Sequence, residues 1–344
     1  METQSWMETL KNKFSSKVSH FFLLHLNVAD EVHYQDCLEE LEKYLILDGP
    51  SHSDQDPEQQ TGFVAYFNRG TGIQFTSRKK EEDFLNFLKD LHSGLSDDFF
   101  GQRNSIPYML KLFNLLLKIS WESPEKKIIN LLEKYFGKDY KNNIGKPFFT
   151  VIIQYAETIV PANCTGGSCE DRNALVSFQI WAKSKEIRNS RNLIILLAKN
   201  LTAVSQELSL EANDITPIKI PLPDYRERLL TVQKTRKQLN LETNEDYNKT
   251  LEDLSSGLTN KLRANLINES YRNKIPLTPE TVFAVKKKFL EDQSNGLLKI
   301  IRPAWGLEAI GSLELYKEYI SDVIQAVKER NFSAVPMGIL LIGP

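Results

Sequence analysis

Gly343-Pro344 and the run before them carry the clearest chemical spacing in the sequence. Gly338-Ile-Leu-Leu-Ile342 has no polar face, which predicts a short strand buried on both sides. A buried strand broken by Gly-Pro is how a phosphate-binding loop begins. The complete loop needs two glycines around four residues, then Lys and Ser or Thr. The sequence stops at the second residue of that pattern, and an exposed apolar terminal strand invites edge pairing. The expectation is therefore the N-terminal part of a longer protein. Gly70-Thr-Gly72 is another glycine pair, but without a Lys-Ser/Thr ending it reads as a turn. Cys164 and Cys169 form half of a metal site, with no second pair among Cys37 and the five histidines. A glycine-rich loop with incidental thiols is favoured, and no metal is expected. Lys286-Lys-Lys288 reads as a solvated helix face.

The elements that must position such groups alternate. Apolar runs at 20–26, 62–67, 148–153, 192–198 and 217–221 read as strands. Between them lie helical patterns at 32–47, 80–91, 107–119, 124–136, 172–184 and 204–211, the third and fourth opening near proline. Residues 51–60 are a Ser, Asp, Pro and Gln rich loop. Strands alternating with helices predict a parallel sheet covered on both faces. From Asp224, a plausible N-cap, no strand signal remains up to Glu291. Helices are expected at 224–238, 244–255, 259–272 and 279–292, punctuated by Gly257, Pro276 and Pro279.

The composition, 41% hydrophobic and 26% charged, is that of a globular protein, and the net charge of −2 gives no basic field for nucleic acid or anionic membrane. No run approaches the ~20 apolar residues that span a bilayer, and residues 1–19 lack a signal-peptide core, with a helix expected around Trp6 to Phe14. Three cysteines are too few for a disulfide scaffold. A cytoplasmic location is the expectation.

Two segments resemble the opening of an AAA-family ATPase module of the FtsH and katanin type. Trp305-Gly-Leu-Glu-Ala-Ile-Gly-Ser-Leu-Glu-Leu-Tyr-Lys317 is similar to the family's W/F-G-L-x-x-I/V-G-G-L-x-x-x-K, with Ser312 replacing the second glycine. Val335-Pro-Met-Gly-Ile-Leu-Leu-Ile-Gly-Pro344 is similar to V-P-x-G-I-L-L-x-G-P, which leads into the Walker A loop. The resemblance extends backwards, since a five-stranded α/β unit followed by a helical lid is the AAA architecture. It divides the chain into a polar segment (1–19), a degenerate AAA-like α/β domain (20–223), a lid subdomain (224–296), and a linker with the first helix and strand of a second module (297–344). The strand order it implies puts 148–153 between 62–67 and 192–198. The 20–26 strand then follows, and 217–221 lies at the edge.

The resemblance also assigns residues. An active module would carry its phosphate loop after the first strand, but Asn27-Val-Ala-Asp-Glu-Val32 has no glycine and no Lys-Ser/Thr, and Asp30 and Glu31 would repel a phosphate. The Walker B metal carboxylate is replaced by neutral Gln154, a poor Mg²⁺ ligand. Glu157 stands near the position of the water-activating acid, or is a surface acid at a strand end. Asn200 matches the first sensor, or begins a turn. Residues 201–217 contain no arginine finger. Pro221-Leu-Pro-Asp-Tyr-Arg-Glu-Arg-Leu229 and Asp253-Leu-Ser-Ser-Gly-Leu258 resemble the structural motifs that start the lid and join its helices. The resemblance thus implies a tandem AAA ATPase whose first module is catalytically degenerate. Its second module would bind ATP and Mg²⁺ through a site bordered here by Gly343 and Pro344. A homo-oligomeric ring acting on a protein substrate or adaptor is implied, and no nucleotide is expected on this chain alone. The alternatives are a non-enzymatic interaction module or split subunit, and a nucleotide-binding regulator without hydrolysis.

Overall fold

The computed structural model of the chain describes residues 5–32, 35–36, 62–120, 124–136, 149–162, 168–209, 214–241, 245–293, 297–301, 305–329 and 331–339. Its strands are β1 (Phe21–Leu26), β2 (Glu31–Val32), β3 (Gln35–Asp36), β4 (Phe63–Asn68), β5 (Gly72–Gln74), β6 (Phe149–Ile153), β7 (Leu193–Ala198) and β8 (Thr216–Ile220). The main sheet runs β5-β4-β6-β7-β1-β8. β4, β6, β7, β1 and β8 are parallel, in the expected order. β5 adds a sixth, antiparallel edge strand through the turn after β4. The expected helix over 32–47 begins differently: β2 and β3 pair as a short antiparallel ribbon. The rest of that span, like residues 51–60, lies outside the described residues.

The central strands lack a polar face because both faces are covered. Phe21 and Leu23 point into one core layer, with Phe63, Phe67, Phe149, Ile153, Ile194 and Leu196. The helices Arg78–Leu91, Ile106–Leu117 and Cys169–Lys183 supply Phe84, Phe113, Phe178 and Trp181 to the same layer. Phe22 and Leu24 point the other way, with Val64, Ile152, Ile195 and Ile218, against Trp6, Met7, Leu10 and Phe14. Those four come from the helix Ser5–Ser15, so the N-terminal segment, polar by composition, buries an apolar stripe on the sheet. Each large side chain removed from water this way contributes roughly 1.5–3 kcal/mol. A further helix, Ser93–Gln102, was not signalled by periodicity; its buried Leu95 and Phe99 sit among Ser, Gly and Asp.

The lid helices lie close to their expected bounds: Tyr225–Gln238, Glu245–Leu254, Asn260–Asn273 and Pro279–Gln293. Asp224 caps the first, its side chain accepting from Glu227 N–H at 2.8 Å. Two compact units result, Met1–Phe283 and Ala284–Pro344. The second holds the helix Glu314–Lys328, none of whose residues is buried. Ser312, in the place of the family's glycine, has φ 60°, a left-handed conformation that glycine adopts without steric cost. Gly338 and Ile339 lie in no strand, and the rest of the expected strand, 340–342, lies outside the described residues. Among the described residues, no helix is long and apolar enough to cross a membrane.

Asn192, fully buried just before β7, joins the sheet to its covering helices. Its Oδ1 accepts from Phe149 N–H at 3.2 Å, and its Nδ2 donates to the carbonyls of Leu117 at 2.8 Å and Ile119 at 3.2 Å. Asn192→Ala strands buried backbone groups at both ends and is expected to cost about 2–4 kcal/mol. An unchanged urea midpoint would refute that role.

His20 is also buried, its Nε2 2.8 Å from the Trp181 carbonyl and its Nδ1 without a hydrogen-bond partner among the described residues. Burial holds its pKa below the ordinary value of 6.5, outweighing the carbonyl contact. The unfolded chain therefore binds the proton more readily, and folding stability falls as pH drops below about 6.5. His25 is shifted in the same direction, first by burial and then by Lys219. Melting scans from pH 7.5 to 5 should show this decline, and His20→Gln should flatten it. An identical slope in the variant would exclude His20 as the cause.

Candidate functional site

In an open parallel sheet, ligands bind beyond the carboxyl ends of the strands, where neighbouring strands send their connections in opposite directions. That point here lies between β1 and β7. From β1 the chain travels to β4 on one side, and from β7 it steps over β1 to β8 on the other. The loops that follow β1, β4, β6 and β7 therefore supply the candidate site.

The exit from β1 is bent. Leu26 has φ 83°, unusual for a residue with a side chain, and its N–H donates to the Lys199 carbonyl at 3.2 Å. Asn27 follows, half of a polar pair with Asp30. Asn27 Nδ2 donates to Asp30 Oδ2 at 3.1 Å and to the Pro221 carbonyl at 3.2 Å, tying the ends of β1 and β8 together. Asp30 is 4% exposed. Its Oδ2 also accepts from Asn260 N–H, and its Oδ1 from Lys261 N–H, both at 2.9 Å. Those amides open the helix Asn260–Asn273, whose first N–H groups have no partner within the helix. Thr259 takes the Leu262 N–H at 3.2 Å. A carboxylate from the first strand's loop thus completes the cap of a lid helix.

Behind this contact the lid carries its own polar core. Arg263, fully buried, donates to Ser255 Oγ, to the Ser255 and Leu258 carbonyls and to Asn260 Oδ1. Burial first, and the Arg228 cation second, bring its pKa down to about 10. Thr231 Oγ1 donates to the same Asn260 Oδ1 at 3.0 Å. Arg228 pairs through Nε with the fully buried Glu252 and donates to the Pro223 carbonyl. The two motifs read from the sequence, Pro221–Leu229 and Asp253–Leu258, thus meet in one network.

At the ends of β4 and β6, Asn68 Nδ2 donates to Gln154 Oε1 at 3.1 Å. Gln154 is thus engaged by a neighbouring amide. Asn68 Oδ1 accepts from the Gly70 and Thr71 N–H groups, so Gly70-Thr-Gly72 is the turn into β5, as the missing Lys-Ser/Thr ending implied. Gly72, at φ 75°, allows that turn; a Cβ there would stand 2.6 Å from the Arg103 carbonyl oxygen. Tyr155, left-handed at φ 54° and exposed, leads into a single 3-10 turn, Ala156–Thr158, that carries Glu157. Glu157 is half-buried, and its Oε2 receives no hydrogen bond among the described residues. Arg69 fixes this turn by donating to the Thr158 carbonyl at 2.9 Å while pairing with Asp171 at 2.9 Å. Its place beside a glycine turn gave no signal in sequence.

Asn200 follows β7 and opens a 3-10 turn with its backbone carbonyl; its side chain makes no cap bond. The loops bearing Glu157 and Asn200 are joined: Ala162 N–H donates to the Ala203 carbonyl at 2.9 Å and Ser205 N–H to the Val160 carbonyl at 3.0 Å. The structure therefore places both expected residues on neighbouring loops at one sheet edge. Gly343 and Pro344 lie outside the described residues, as do Cys37 and Cys164. Cys169 is exposed at the start of its helix. Among the described residues, no group of three or more His, Cys, Asp or Glu could share a metal ion.

The described residues do not fit a nucleotide phosphate with Mg²⁺ at this edge. Residues 27–32 after β1 offer no glycine amide and no lysine, the Asp30 carboxylate is buried there, and Gln154 brings a neutral amide, a poor Mg²⁺ ligand.

Residues 2–221 match the family described as the AAA+ chaperone, N-terminal Rossmann-like domain. No curated protein matches the chain.

The Arg228–Glu252 pair makes a checkable demand. Arg228→Leu leaves the buried Glu252 carboxylate without its cation and should cost about 3–5 kcal/mol, while the double change Arg228→Leu, Glu252→Leu should recover most of that loss. Equal destabilisation of single and double variants in urea melts would show that the pair is not what holds these helices.

Proposed function

Because the chain belongs to the AAA+ chaperone family through its N-terminal Rossmann-like domain, we propose that residues 20–296 form a catalytically degenerate first module. It serves as a scaffold for an ATP-hydrolysing second module that begins within 297–344. In this reading the second module takes ATP and Mg²⁺ at the phosphate loop that Gly343-Pro344 introduces. The assembly is a homo-oligomeric ring that remodels protein substrates. The observation that carries the reading is the state of the first module's sheet edge. The bond from Asn68 to Gln154 satisfies with two neutral amides the place where a metal carboxylate would be needed. Glu157 and Asn200 are retained there as polar loop residues, and catalysis is not assigned to them.

ATP turnover separates the modules. The 344-residue chain should release phosphate from ATP no faster than buffer, and Glu157→Gln should change nothing. A longer protein continuing into a full phosphate loop should hydrolyse ATP and lose that activity when the loop's lysine is replaced. Turnover by the 344-residue chain that disappears in Glu157→Gln would move the active site into the first module and overturn the reading.

A further inference from the structure

The sheet edge holds one contact that neither the family match nor a degenerate active site requires. A carboxylate oxygen pair and a bound phosphate make the same demand on a protein: backbone N–H donors, at best at a helix N-terminus. Asp30 receives that treatment from within the chain. Its oxygens accept from the first two amides of the 14-residue helix Asn260–Asn273 and from the Asn27 side chain. The contact lies at the switch point of the sheet, four residues beyond β1, where an α/β sheet ordinarily offers its ligand site.

We propose that Asp30 is an internal substitute for a bound phosphate: it occupies the anion position between the sheet and the lid and holds the lid in place without any nucleotide. Two further observations support a permanent fixture rather than a chance contact. Asp30 is buried. Its helix partner Asn260 is itself buried, with Oδ1 held by Thr231 and Arg263, so the acceptor and the helix start are both fixed from behind. The lid helices of this domain are thereby insensitive to nucleotide, whatever another module does. The proposal stands whether or not the second module hydrolyses ATP.

Hydrogen exchange on the whole chain tests it. In the wild type, the Asn260 and Lys261 amides should exchange as slowly as the core strands. Neither MgATP nor inorganic phosphate should slow them further. Fast exchange that slows on adding MgATP would show that the anion position is open to nucleotide and would sink the proposal. Asp30→Ala should speed exchange at both amides by about tenfold or more, the factor that one lost hydrogen bond of ordinary strength gives. Inorganic phosphate, compared with chloride at equal ionic strength, should restore protection in the variant and leave the wild type unchanged. Unaltered exchange in Asp30→Ala, or no response of the variant to phosphate, would each overturn it. Should Asp30→Ala fail to fold, Asp30→Asn, which keeps one acceptor of the two, should speed exchange at one of the two amides without any response to phosphate, and the wild-type arm decides independently. A failed second-module ATPase assay would leave all of these readings untouched.

Discussion

Burial of β1 on both faces is the constraint on which the structure depends. Phe21 and Leu23 face one layer while Phe22 and Leu24 face the other, and β7 and β8 flank the strand in parallel. Register is then fixed, because a slip of one residue would exchange the two layers. With β1 fixed between β7 and β8, its carboxyl end has one possible position, at the switch point. Everything polar at the site follows from that position. Asn27 reaches the end of β8, Leu26 reaches the loop after β7, and Asp30 reaches the lid.

The sheet was legible in sequence because each central parallel strand is an apolar run without a polar face, and the strand order came from the resemblance. The Asp224 cap was legible because Asp, followed by a helical pattern, has a local mechanism. Other features were hidden for identifiable reasons. The helix Ser93–Gln102 is built from Ser, Gly and Asp, residues that favour turns, and only the packing of Leu95 and Phe99 outweighs them. The Ser5–Ser15 helix was expected around Trp6 to Phe14, but its docking on the sheet was not legible, because its buried stripe is diluted among Lys, Asn and Ser. Asn192 reads as the first residue of a strand, but its value lies in partners more than 40 residues away.

The candidate site was half legible. Glu157 and Asn200 fall on neighbouring loops at the carboxyl edge, as strand-end positions in adjacent parallel strands must. The meaning of Asp30 was not accessible from its neighbours. In sequence it is an acid that would repel a phosphate. In the fold it meets two amides about 230 positions later and satisfies them. The same negative charge explains both readings, since a site that attracts an anion is satisfied equally well by one built into the chain.

Leu26 adds a final step to this argument. A left-handed residue with a side chain is strained by roughly 1–2 kcal/mol, and such strain persists only where surrounding bonds over-determine it. Here they do: the Leu26 N–H is held by Lys199, and the next residue is held by Asp30 and Pro221. The bend after β1 is thus kept without the glycine that would make it free of strain. Its cause is the topology, because the chain must turn away from the sheet between two occupied neighbours. Side-chain bonds can therefore hold the loops at the carboxyl edge of an open α/β sheet, provided they satisfy its backbone groups. In this chain the amides of the lid helix are satisfied by Asp30, and Gln154 by Asn68, so the polar groups at the sheet edge are held by the chain's own side chains.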